Sequence, residues 1–234
     1  MKKIILLFIL LTTALSSYSQ EYKPMNQPYV DMRWYNFGFS IGMHTQDLNF
    51  THNGILDENG RIIYAEQPSF SPGFNVGLLA NFRLNHYFSF RISPTLFFGS
   101  KSVQFIEQGT SNILQEQDIR STYLLFPFNI KYAARRLNNA RPYLVTGLSA
   151  GFDLTRKKDL PVLLESFNTY LEFGFGCEFY FQYFKLIPEI KLCLGLGDVL
   201  VHKRTDLTNI DYLPYTNALD KATSRLLVFS LYFE

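Results

Sequence analysis

Ten charged residues recur at alternate positions within stretches that are otherwise apolar or small: Arg83, Arg91, Lys101, Lys131, Lys185 and Lys191, with Asp153, Glu172, Glu178 and Glu189. An ionised group in such a setting must find a partner, because an unpaired buried charge is strongly destabilising. A two-residue turn at Phe181-Gln182 sets Glu178 across from Lys185 and Glu172 across from Lys191, which predicts two cross-strand ion pairs. The set reads as a charge network that plugs an interior, with a proton or ion path as the alternative. A second concentration of charge is AARRLNNAR, Ala133 to Arg141, which carries Arg135, Arg136 and Arg141 beside Asn138 and Asn139. Its arginines suit either anionic headgroups or an acidic partner docked there with help from the segment Gln20 to Arg33. Signals for catalysis are weak. His44, His52, His86 and His202 are scattered, and only the first two share a neighbourhood, where Asp47 or Glu66 could supply the acid of a hydrolase. HExxH, paired cysteine ligands, a Gly-rich phosphate loop and a calcium loop are all missing from the sequence. The expectation is a non-enzyme without cofactor or metal.

The elements that carry these charges are strands with two unlike faces. From Tyr35, the residues Phe37, Phe39, Ile41 and Met43 alternate with Gly38, Ser40, Gly42 and His44. The beat recurs in Gly73–Leu84, Tyr87–Lys101, Thr122–Ala133, Pro142–Leu154, Phe167–Tyr180, Phe184–Leu196 and Arg225–Phe233. Short connections at Asn85-His86, Ala134–Arg141 and Phe181–Tyr183 alternate with long ones at 51–72, 104–121, 155–166 and 197–224. That order predicts an all-β, eight-stranded antiparallel up-and-down transmembrane β-barrel, both termini periplasmic. A soluble lipocalin-type barrel is the rival, with its apolar face turned inward. Glycines on the small face, among them Gly38, Gly77, Gly147 and Gly174, weigh against it, since they would weaken a water-facing wall but fit a narrow lumen. Trp34, Tyr35, Tyr87, Tyr132, Tyr143, Tyr183 and Tyr232 gather near the short-turn ends as an expected aromatic girdle.

The chain opens on MKKIILLFILLTTALSSYSQ, with two lysines, an apolar stretch and small residues, the layout of a cleavable signal peptide over residues 1–19. Residues 20–34 then form a periplasmic segment and 35–234 the outer-membrane barrel. Without Lys2 and Lys3 the balance is 20 basic against 20 acidic residues, so no nucleic-acid partner is expected. Aromatic content of 17% suits a lipid-facing surface. Cys177 and Cys193 fall opposite Leu186 and Tyr170 in the same turn register, too far apart for a disulfide.

NQPYVDMRWYNFGFSIGMH, SPGFNVGLLANFRLN and above all YLLFPFNIKYAARRLNNARPYLVTG, Tyr123 to Gly147, resemble the PorT family of Bacteroidetes, called SprT in gliding bacteria, and the neighbouring PorT-like porin group. The resemblance implies an integral outer-membrane protein required for type IX secretion and gliding, with no enzyme activity and no cofactor. It also marks Pro142-Tyr143 and the preceding arginine turn as a structural or docking element. The expected partners are outer-membrane lipid and secretion-machinery proteins on the periplasmic side. Two alternatives stay open: a surface barrel for adhesion or envelope stability working through its long loops, and a lipid-modifying enzyme relying on His44 or His52.

Overall fold

The computed structural model describes residues 24–52, 63–67, 71–107, 113–155, 162–201 and 219–234. The expected signal peptide and parts of the four long connections lie outside these described residues. After a short 3-10 helix, Val30–Met32, the strands are β1 Tyr35–His52, β2 Ile63–Glu66, β3 Pro72–Arg83, β4 Phe88–Ile92, β5 Thr95–Glu107, β6 Ile113–Ala133, β7 Ala140–Asp153, β8 Phe167–Tyr180, β9 Lys185–Gly195 and β10 Leu219–Phe233. Every pairing is antiparallel, and β1 bonds to both β3 and β10, which closes the sheet into a ring. β4 and β5 share one place in that ring, because both pair with β3 and β6. Between them stand Ser93 and Pro94; a proline has no N–H for the ladder, and Leu78 N donates to Pro94 O at 3.0 Å instead. Eight wall positions result, and closure pairs each of them on both sides.

Alternation assigns the faces as expected over the part of the wall nearest the short turns. Phe37, Ile41, Phe74, Leu78, Phe128, Leu144 and Phe173 lie exposed on the outside, while Ser40, Asn75, Asn81, Asn129 and Ser149 are buried within. Two members of the expected girdle are corrected: Tyr143 and Tyr232 are buried in the lumen, whereas Trp34, Tyr35, Tyr87, Tyr132 and Tyr183 stay outside. Their strands already placed them inward by parity, Tyr143 with Ser149 and Tyr232 with Ser230.

Strand lengths depart from expectation. β1 has 18 residues and β6 has 21, against roughly 9–11 for a tilted strand crossing hydrocarbon. The surplus stands at the long-connection end, and there the polarity of the wall inverts. Val103, Phe105 and Ala222 are fully buried, and they pack with Leu48, Ile63 and Leu219 in an apolar cluster. Val162, Leu164, Val199 and Leu200 come in from the connections and cap it. On the outside, Ser102 Oγ and Gln104 Nε2 donate to Glu116 Oε1 at 2.8 and 3.1 Å. The hydrogen bonds from Gln104 and Ser102 hold the Glu116 carboxyl below its usual range. Apolar inside and polar outside is the pattern water selects. β2, unexpected from the sequence, joins this region by pairing with β5, and the Gln67 side chain beyond it bonds Leu48 N and Gln46 O of β1 at 3.1 and 2.9 Å.

The β8–β9 register is corrected by two residues. Glu172 faces Cys193, Gly174 faces Lys191 and Tyr180 faces Lys185. The turn takes four residues, with Phe181 N donating to Phe184 O at 2.9 Å and the two rings stacked at 5.0 Å. A slip of two keeps every side chain on its original face. Leu186 therefore faces Phe179 rather than Cys177, and both cysteines are free.

Candidate functional site

Seven of the ten predicted charges form the lumen network, and the alternation of β4, β6, β8 and β9 delivers them. Arg91 and Glu189 meet at 2.6 Å with both side chains at 0% exposure. Tyr143 and Tyr232 donate to the same carboxylate at 2.5 and 3.1 Å, and their rings flank the Arg91 guanidinium at 5.2 and 5.1 Å. Lys191 bonds Glu172 at 3.2 Å and approaches Glu189 at 3.7 Å. Asn129 Nδ2 donates to Glu172 at 3.0 Å. Lys131 pairs with Glu178, which also accepts from Tyr180 at 2.9 Å. Lys185 does not pair with Glu178 as expected; it pairs with Glu234. The Glu172–Lys191 pair does form, though diagonally, since those residues are no longer directly opposite. The buried cations Arg91, Lys131, Lys185 and Lys191 are thus matched by the carboxylates Glu172, Glu178, Glu189 and Glu234.

Three predicted members stand apart. Lys101 is buried, but its Nζ has no hydrogen-bond partner among the described residues and lies 5.4 Å from the Tyr123 ring. Arg83 reaches the short-turn rim, where Nε donates to Asn85 O at 3.2 Å. Asp153 sits at the opposite rim, accepting from Thr155 N at 2.9 Å. Both rim positions follow from strand ends, where an inward side chain meets solvent rather than the packed interior. Above the network, Phe97, Tyr123, Leu125, Tyr170, Cys193 and Leu226 form a middle layer. His44 is buried there with its ring 4.9 Å from Phe97. The side chain of His52 and all of His202 lie outside the described residues, and among the described residues no group of His, Cys, Asp or Glu could hold a metal ion.

The arginine turn grips the chain's own pre-barrel segment. Arg136 pairs with Asp31 at 3.3 Å, stacks over the Tyr180 ring at 3.6 Å, and donates to the carbonyls of Asn26, Gln27 and Asn138. Arg141 approaches Asp31 at 3.6 Å and donates to Ala134 O at 2.9 Å. Asn139 accepts from Asn26 N at 2.9 Å and donates to Pro24 O at 3.1 Å. Asn138 takes a positive φ of 52°, tolerable for asparagine, at the exposed tip. Tyr180 has one hydroxyl proton and two carboxylates in reach, Asp31 at 2.7 Å and Glu178 at 2.9 Å. Sequence reasoning missed Asp31, Asn129, Tyr180 and Glu234, and it set Tyr143 and Tyr232 in the girdle and Tyr143 in a docking element rather than on Glu189. Parity was the available signal for Tyr143 and Tyr232; nothing local marked Asp31.

Comparison with known proteins gives one family. The family model described as outer membrane protein beta-barrel domain matches residues 18–201. Among solved structures, OprG from Pseudomonas aeruginosa aligns at 12% identity and TM-score 0.45, covering 84% of this chain and 93% of OprG. Ail, the attachment invasion locus protein of Yersinia pestis, aligns at 13% identity and TM-score 0.35, covering 86% of this chain and 99% of Ail. No curated protein matches the chain. With a closed ring whose lower wall is apolar outside and polar within, and a family match over most of its length, the chain belongs to the outer membrane protein beta-barrel domain family and resides in the outer membrane.

Proposed function

We propose that the chain is a non-enzymatic barrel that assists type IX protein secretion, and the gliding-associated export that goes with it, through protein contacts at its short-turn end, which faces the periplasm. The observation that carries this reading is the filled lumen: a charged layer, an aromatic layer and an apolar cap succeed one another along the interior. An eight-stranded barrel has room only for its own side chains, so work on a protein substrate is left to its surfaces. The docking element is the turn Arg135–Arg141 together with the pre-barrel segment it holds. Arg136, Asn139 and Arg141 bind the segment, and Tyr29, Met32 and Leu137, each at least 70% exposed, offer apolar contact area. The resemblance of Tyr123–Gly147 to the PorT family supplies the system.

A second reading, a surface barrel for adhesion or envelope stability, is favoured by the water-adapted extension at the long-connection end. Gene deletion separates the two. Accumulation of type IX cargo inside the deletion strain, restored by the full chain and by a variant trimmed within residues 202–218, supports the secretion role. Normal secretion with lost adhesion or a leaky envelope refutes it in favour of the second reading.

A further inference from the structure

At the short-turn rim, Arg83, Arg135, Arg136 and Arg141 surround a pocket of about 260 Å³, and the carboxylate of Asp31 is the acid among its lining residues. The four are not equivalent. Arg136 and Arg141 spend their donors on Asp31 and backbone carbonyls. Among the described residues Arg83 bonds only through Nε, toward Asn85 O, and Arg135 is exposed with no partner. Two guanidinium forks are therefore left facing a pocket whose fixed charge is positive. Tyr87, which also lines it, lies exposed on the outer wall with its ring 6.3 Å from that of Tyr132, and Trp34 O accepts from Arg83 N at 2.8 Å. These aromatics belong to the belt that sits at headgroup depth. A guanidinium fork fits the oxygens of a phosphate bidentately, and at this depth the phosphate within reach is that of a lipid.

We propose that this pocket binds the phosphate of an anionic phospholipid, with Arg83 and Arg135 as direct donors and Arg136 and Arg141, fixed by Asp31, as its positive wall. The site stands on the rim geometry; only the leaflet that supplies the lipid rests on the periplasmic placement proposed above. Trp34 is the single tryptophan, so it reports on neighbouring lipid directly. The full mature chain is refolded in phosphatidylcholine vesicles containing a minority of phosphatidylglycerol, and Trp34 quenching by brominated forms of each lipid is compared. Near-surface arginines give an expected preference of roughly tenfold for phosphatidylglycerol. Arg83→Gln with Arg135→Gln should remove it while leaving Trp34 emission in unbrominated phosphatidylcholine unchanged. Arg135→Gln alone, at an exposed side chain without partners, should lower it about threefold. Equal quenching by the two lipids, or a preference that survives both substitutions, overturns the proposal. So does full displacement by millimolar inorganic phosphate or by a Glu-rich peptide, which would reassign the pocket to a soluble anion or an acidic protein. A deletion strain with normal secretion would remove the type IX reading and leave this result standing.

Discussion

Exchanging Arg91 for methionine withdraws the cation that Glu189 meets at 2.6 Å, yet keeps an unbranched stem between the rings of Tyr143 and Tyr232. Glu189 would keep two phenol donors and Lys191 at 3.7 Å, so its charge is not wholly abandoned. Breaking a buried pair costs about 3–5 kcal/mol, and the remaining donors put Arg91→Met near the lower end. Glu189→Gln should cost a similar amount, since Arg91 Nε and Nη2 already have no acceptor among the described residues and the guanidinium would lose its carboxylate. Combining Arg91→Met with Glu189→Gln removes both charges together, and the double variant should recover about 2–3 kcal/mol relative to the sum of the singles. Urea titration of the refolded barrel in lipid vesicles, followed by Trp34 fluorescence, measures all three. Single losses under about 1 kcal/mol, or strictly additive ones, would refute the argument that this pair organises the lumen.

Leu78 faces outward at 65% exposure, and Leu78→Arg should cost about 2–4 kcal/mol in a bilayer; a neutral result would mean that face meets water. A methyl group at Gly176 would lie 2.5 Å from the Tyr143 hydroxyl and 2.7 Å from Pro188 O. Gly176→Ala should therefore push Tyr143 off Glu189 and cost about 1–3 kcal/mol, with no measurable change in the urea midpoint counting against that packing. Asp31→Asn takes away the acid that faces Arg136, Arg141 and Tyr180. Limited proteolysis should then cut between residues 24 and 34 at least several times faster while the barrel stays intact, and an unchanged cutting rate would show that the segment is held by other contacts.

Much of the wall was legible from residue alternation, because lipid outside and a polar interior impose opposite preferences on successive side chains. Phe167–Tyr180 was read to the residue. Register was not legible: a slip of two leaves each face unchanged, and only the aromatic four-residue turn Phe181–Phe184 decides it. The break between β4 and β5 had a local sign in Pro94, but the face pattern runs through it unaltered and masks the interruption. The extension at the long-connection end is not legible as wall because its pattern is reversed: Ser102 and Gln104 outside, Val103 and Phe105 inside. The site was legible as a set of inward charges and illegible as a set of partners. Lys185 meets Glu234 and Arg136 meets Asp31 through ring closure and the fold-back of the pre-barrel segment, neither of which leaves a trace in local spacing.

The reversal of polarity along the wall also fixes how deep the barrel sits. A uniform greasy cylinder could ride up or down in a bilayer at little cost, tilting or letting the lipid stretch to match. Here, sinking by a few residues would drag Glu116 with its donors Ser102 and Gln104 into hydrocarbon, while rising would lift Met43 and Phe74 into water. The flip near Lys101 acts as a flange. It pins the wall at that one interface, so how far the opposite rim, with Asp31 and its arginines, stands from the other face of the bilayer follows the thickness of the surrounding lipid.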